Sequence, residues 1–214
     1  MARLPKLYQQ SDKVIEILSR RAVNRFGKCY NTIRNGGFDE LNVIKNVKTL
    51  YTQLAADNRE LFEELFDDLY GYYFALYGGK KPDTVEARKS VTRILTEYGE
   101  LSHYIYSNEI SRKRDRTIEG VISAAGRERE KVWNTSLRLW ASMTRLYSDT
   151  VAYRAMVAAM RDVGIDEVQW ITEADEKVCD DCKPLHGQIF PIDKIPPKPH
   201  IGCRCHLRPV TKGK

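Results

Sequence analysis

A chain of 214 residues, 42% hydrophobic and 30% charged, has the length for one ordinary domain or for an extended helical body with a small appendix. No run approaches the eighteen or more apolar residues of a membrane span, so no membrane contact is expected. The formal net charge of +6 favours polyanionic partners, DNA first among them, provided that the cations gather on one face.

The first helical pattern runs from Ser11 to Ile33, with Val14, Ile15, Leu18, Ala22, Phe26, Cys29, Tyr30 and Ile33 recurring at three- and four-residue spacing. Ser11 is placed to cap its start, and Asn35-Gly36-Gly37 to end it. Arg20, Arg21, Arg25, Lys28 and Arg34 give it a basic face, which water alone usually solvates and which phosphate can also occupy. Cys29 reads as a small buried hydrophobe. A second pattern, Asp39 to about Tyr77, sets Ile44, Val47, Tyr51, Leu54, Leu61 and Leu65 at near-heptad spacing, which suits an antiparallel helical hairpin. Its end, from Leu61 to Tyr77, is acidic on one side and aromatic around much of the rest. Core filling is the first reading of those aromatics and a protein-docking surface the second.

Gly78-Gly79-Lys80-Lys81-Pro82 breaks the pattern, and Asp83 with Glu86 gives a capping-box-like restart. The next helix carries Val91, Ile94, Leu95, Tyr98, Leu101 and Ile105 and runs into the most basic spot in the chain, Arg112, Lys113, Arg114 and Arg116. At a helix end or loop these four cations can contact phosphate. A further pattern covers Thr117 to Asp162 and is longer than a usual globular helix, so a bend near Gly120 or Gly126 is expected. Trp133 and Trp140, seven residues apart on one face, read as packing residues. Gly164 stops the helix, and residues 168–172 alternate as a short strand.

The remaining residues carry the chemistry. Cys179 and Cys182 form a two-residue-spaced knuckle whose thiolates can share one tetrahedral metal. After an excursion stiffened by Ile195-Pro196-Pro197-Lys198-Pro199 come His200, Cys203 and Cys205, five candidates in all for four places. Cys203 and Cys205 share a side if the segment is extended, and His200 competes with them; spacing leaves the choice open. A filled shell has no position for a reactive water, so a structural zinc is expected to brace the fold without doing chemistry. Two disulfides or free thiols are the other outcomes. Met1-Ala2-Arg3-Leu4-Pro5-Lys6 has no apolar signal core, and in a reducing compartment such clusters hold metal. Asp175 is placed to cap the turn or support a ligand, Asp180 and Asp181 to face solvent, and His186 and His206 to lie at the surface or behind the ligands. A module this small needs such help, since structural zinc contributes on the order of 10 kcal/mol in finger peptides.

Trp170, Asp175, Val178-Cys179-x2-Cys182, Leu185-x-Gly187, Phe190 and Pro199-His200-x2-Cys203-Arg204-Cys205 with Pro209 resemble the C-terminal signature of the phage head morphogenesis family, the Mu F-like minor capsid proteins of tailed phages. The resemblance is dense over about a fifth of the chain and looser over the preceding helix. There Ser148-Asp149-Thr150 stands where the family usually has an Arg-Thr-Glu-like turn, and Ile201 replaces a common proline. The resemblance implies a virion component inside the capsid, made in the host cytoplasm and bound at the portal vertex. It would act in head assembly and in the fate of packaged DNA, with the portal protein as partner and scaffold or major capsid protein as others. The expected fold is mainly α: an elongated body of long helices over residues 1–164, then a small β-containing zinc-binding module over residues 165–214. No enzymatic activity is expected. The alternatives are a zinc-containing nuclease, which would need a second metal and a water-activating histidine, and a zinc module that binds nucleic acid directly. For the latter, Asp175, Glu176, Asp180, Asp181 and Asp193 dilute the cations around the ligands.

Overall fold

Leu7, Tyr8, Ser11, Ile15, Leu18, Ala22, Phe26 and Ile33 line one stripe of the first helix and are all buried. In the computed structural model, which describes residues 5–80, 84–96, 105–172, 180–199 and 203–210, this helix, α1, spans Lys6–Gly36. It starts before Ser11 because the apolar stripe extends back through Tyr8 and Leu7. Ser11 therefore does not cap the helix. It lies inside, fully buried, with its hydroxyl 2.6 Å from an Asp149 carboxylate oxygen and 3.0 Å from the Ser148 hydroxyl. Gly37, at φ 96, closes the helix in a conformation that side chains rarely adopt.

Asp39 accepts from the Asn42 amide at 3.0 Å and caps α2, Glu40–Leu76. At 37 residues it is about 55 Å long. The short connection makes α1 and α2 antiparallel, as the near-heptad spacing predicts, and Arg25 of α1 meets Asp57 of α2. The longest later helix, α5 (Arg127–Asp162), completes a three-helix body. Its start packs on the end of α1, where Trp133 donates to the Phe26 carbonyl at 3.2 Å, and its end meets the end of α2, where Tyr70 bonds Asp162 at 2.5 Å. Trp133 and Trp140 are buried packing residues, in edge contact with Phe26 and Tyr51 respectively. The aromatic end of α2 fills core with Phe62, Phe66, Tyr70 and Tyr73, while Tyr72 and Leu76 stay exposed.

Two boundaries differ from the sequence reading. The cations Arg112, Lys113, Arg114 and Arg116 lie within α4, Tyr106–Ser123, and not at a helix end or in a loop. Ile105 is the residue before that helix, and Tyr106 begins a new buried stripe with Glu109, Lys113, Thr117 and Val121. The preceding helix, α3, spans Thr84–Thr96; its expected cap at Asp83, and Tyr98 and Leu101, lie outside the described residues. The bend expected near Gly120 or Gly126 is a full break. Helix α4 ends at Ser123, Gly126 takes φ 50 and ψ −129, and α5 begins one residue later. Gly120 has a different use: a Cβ there would lie 2.8 Å from Val132, so the glycine lets α4 and α5 approach closely.

After Gly164 (φ 82) the chain enters β1, Glu167–Ile171, the centre of an antiparallel sheet ordered β2-β1-β3, with β2 at Ile189–Pro191 and β3 at His206–Pro209. Val168 pairs with Phe190 on one side and Pro209 on the other, and Trp170 with Leu207. Val168, Trp170 and Leu207 are buried and continuous with the helical core. The fold is thus mainly helical with a small terminal sheet.

Candidate metal centre

The sheet brings three sulfurs together. Trp170, 1% exposed, anchors β1, and its carbonyl accepts from Gly187 at 2.8 Å, which turns residues 182–188 back beneath the strand. Cys182 sits at the head of the short 3-10 turn Lys183–Leu185, its carbonyl bonded to the Leu185 amide at 3.1 Å. Cys203 and Cys205 lead directly into β3, and alternation along the extended chain turns both inward. The thiols of Cys182, Cys203 and Cys205 all lie within 4.8 Å of one another, and all three residues are buried.

The Cys182 and Cys203 sulfurs are 3.7 Å apart, far beyond a disulfide bond, and the described cysteines are all free. That separation matches the edge of a sulfur tetrahedron around zinc, which a metal–sulfur bond of about 2.3 Å sets at about 3.8 Å. Three soft donors at this spacing suit a thiophilic metal. Cys179 and His200 lie outside the described residues, as does Asp175. Asp180 and Asp181 face solvent, and Asp180 pairs with Lys183 at 2.8 Å.

The electrostatics favour a thiolate at Cys203. Hydrogen bonding from Cys205 lowers the Cys203 thiol well below its usual range, helped by the Lys198 ammonium; the same shared interaction raises Cys205. Lys198 is held over the rings of Tyr8 and Tyr153, at 4.9 and 4.6 Å, and donates to the Cys203 carbonyl at 2.9 Å and to the Tyr8 hydroxyl at 2.7 Å. The Tyr8 hydroxyl, kept protonated by burial and by the neighbouring Cys203 and Asp149, donates to the Cys205 carbonyl. Arg204, between the two cysteines, pairs with Asp12 at 2.8 Å and lies over Tyr8. The backbone that carries Cys203 and Cys205 is therefore fastened to the first helix.

Neither described histidine joins the three sulfurs. His186 Nδ1 accepts the Thr172 backbone N–H at 3.1 Å and lies 2.8 Å from its hydroxyl, so it braces the turn. Burial, then the charges of Lys198 and Arg208, lowers His206 to about 4. The basic cluster of α4 is largely spoken for. Arg112 and Lys113 pair with the buried Glu109 at 2.8 and 3.3 Å, Arg114 pairs with Asp115 at 2.8 Å, and Lys113 is itself buried; Arg116 is exposed.

Sequence reasoning missed Tyr8, Asp12, Lys198 and Arg204. Two signals were available: Leu7 and Tyr8 continue the α1 stripe one turn back, and Lys198 is a single cation set among three prolines beside the ligands. Asp149, in the Ser148-Asp149-Thr150 turn, is buried under the same contact. Residues 112–208, from α4 through the last strand, match the model of a family described as phage Mu protein F-like protein. No curated protein and no solved structure matches the chain.

Proposed function

We propose, from the match of residues 112–208 to the phage Mu protein F-like family, that the chain is a minor capsid protein of head morphogenesis, carried inside the virion at the portal vertex. What supports the reading is the coincidence of that family match with three buried thiols that lie within 4.8 Å of one another in its last third. The role is architectural and involves no reaction. The long helices offer surfaces to the portal protein and to scaffold or major capsid protein, the cationic surface tolerates or holds packaged DNA, and the tail is a rigid end piece. Detection of the chain in purified virions, with co-sedimentation on portal rings, tests the assignment. Its absence from particles, or metal-dependent plasmid cleavage lost on substitution of His186 or His206, overturns it.

The metal of this reading is structural zinc, held by Cys182, Cys203 and Cys205 with Cys179 of the knuckle as fourth ligand and His200 as its competitor. When bound, the ion cross-links the turn after β1 to the approach to β3. Protein purified without added metal is expected to carry about one zinc per chain. Cys203→Ser should abolish it, Cys179→Ser should abolish it, and His200→Ala should leave it. Elemental analysis decides; metal retained by Cys179→Ser and lost by His200→Ala would reverse the fourth assignment, and iron in place of zinc would correct the ion.

A further inference from the structure

Between α1 and α2, further along α1 than the Tyr8 and Asp12 contact with the tail, the helix seam is an open polar trough of about 550 Å³. A seam between two long helices ordinarily closes over apolar side chains; here Leu50 and Cys29 are the apolar lining. Arg21, Arg25 and Lys28 of α1 face Asn46, Gln53 and Asp57 of α2 across it, three cations against one carboxylate. Asp57, 7% exposed, takes both sides of the Arg25 fork, including Nη2 at 2.8 Å, while Gln53 accepts from Arg25 Nη1 at 2.8 Å with its carbonyl oxygen. That fixes the guanidinium and leaves the Gln53 amide N–H groups to donate. One end of the trough is neutralised, since Arg21 also meets Glu60 at 3.4 Å. The other end keeps an exposed cation in Lys28, and Lys45, exposed one helical turn before the lining residue Thr49, stands next along α2 outside the lining itself.

We propose that this trough is the nucleic-acid track of the protein, taking the phosphate backbone of duplex DNA. The donors are strung over about 10 Å of helix from Arg21 to Lys28 and do not converge on a point, which fits a chain of phosphates better than one small anion. The Thr32 and Thr49 hydroxyls and the Asn46 amide donate within their own helices, so the neutral donors beside the cations are the Asn24 and Gln53 amides, which read no base, and binding is independent of sequence. The inference rests on the reading of the chain as a head component that meets DNA, and it places that contact on α1 and α2.

The test is fluorescence anisotropy of the full chain with a labelled duplex of about 30 base pairs, from about 50 to about 200 mM salt. Lys28→Glu with Lys45→Glu should weaken binding at least tenfold and reduce the slope of log affinity on log salt by about two. Lys89→Glu with Lys194→Glu, the same charge change on α3 and on the tail, should keep the slope. Melting curves matching the parent show that both variants are folded. Equal losses in the two variants would overturn the proposal, because net charge and not the trough would then govern binding; so would a parent chain that binds no duplex at the lowest salt. Virion incorporation is scored separately, so a chain found in particles with an unused trough sinks this inference and leaves the head assignment standing.

Discussion

Cys29 shows how a single side chain reports its surroundings. It lies half-buried on α1 beneath the trough, and burial pushes its thiol from the ordinary 9.0 up to about 12. Burial likewise raises Tyr51 and Tyr73 to about 12. In the unfolded chain these groups ionise earlier, so the native state holds protons that the unfolded state releases. The stability they represent is complete below about pH 9 and is lost as pH rises towards 12. Thermal unfolding midpoints of the protein should therefore fall over that range, and Cys29→Ala should flatten the fall between pH 9 and 10; parallel curves would show that the thiol is not desolvated in solution. Its buried character was legible from the helical spacing of residues 22–33. So were Cys182, Cys203 and Cys205, because ligand spacing and strand alternation are local properties of the chain. Tyr8 and Lys198 were not, since 190 residues separate them and no local period links the two. Cys179 and His200 fall outside the described residues, so three of the five candidates are seen together and the fourth member of the shell stays a proposal.

Single residues also set the limits of whole elements, and glycines do so in opposite senses. Gly27 lies within α1 with nothing within 4 Å of an added Cβ. Gly27→Ala should raise stability by about 0.5–1 kcal/mol, the usual difference between the two residues in a helix interior. Gly120 offers the same propensity gain, but its Cβ would meet Val132, a side chain confined to essentially one rotamer on a helix. Gly120→Ala should therefore push α4 from α5 and lower stability by about 1 kcal/mol net. Urea titrations of the two variants check the contrast, and a stabilised Gly120→Ala would mean that the helices are free to shift. The α2 boundaries were readable because Asp39 caps and Gly78 stops it. The break between α4 and α5 read as a bend because apolar periodicity continues across Gly126, and only the left-handed backbone there separates two helices from one kinked helix. Placing the basic cluster at a helix end failed for the complementary reason. The buried Glu109 pairs one turn away with the exposed Arg112 and the buried Lys113, so the charges are stitched into a helix that a count of cations alone assigns to a helix end or loop.

At the scale of the molecule, the tail is held to the helical body by a small and particular contact. Tyr8, Asp12, Lys198 and Arg204 join α1 to the backbone of Cys203 and Cys205, and Val168, Trp170 and Leu207 extend the helical core beneath the sheet. The strands are three to five residues long, so the sheet has little independent stability, and a metal that binds only the folded arrangement adds its binding free energy to that of the fold. The helices, by contrast, bury their own stripes and need no metal. Stripping the proposed zinc with a chelator should then unfasten the tail while the body persists. Far-UV circular dichroism should keep most of its helical signal. Amide exchange should accelerate along β1 to β3 and in the first turns of α1, because Tyr8 and Asp12 lose the partners that the tail presents to them. Lys198→Met separates the ion from the fastening: it should retain zinc, yet expose the start of α1 to exchange. Unchanged protection around Tyr8 in both the stripped protein and Lys198→Met would mean that α1 is held by α2 and α5 alone and that the tail merely rests against it.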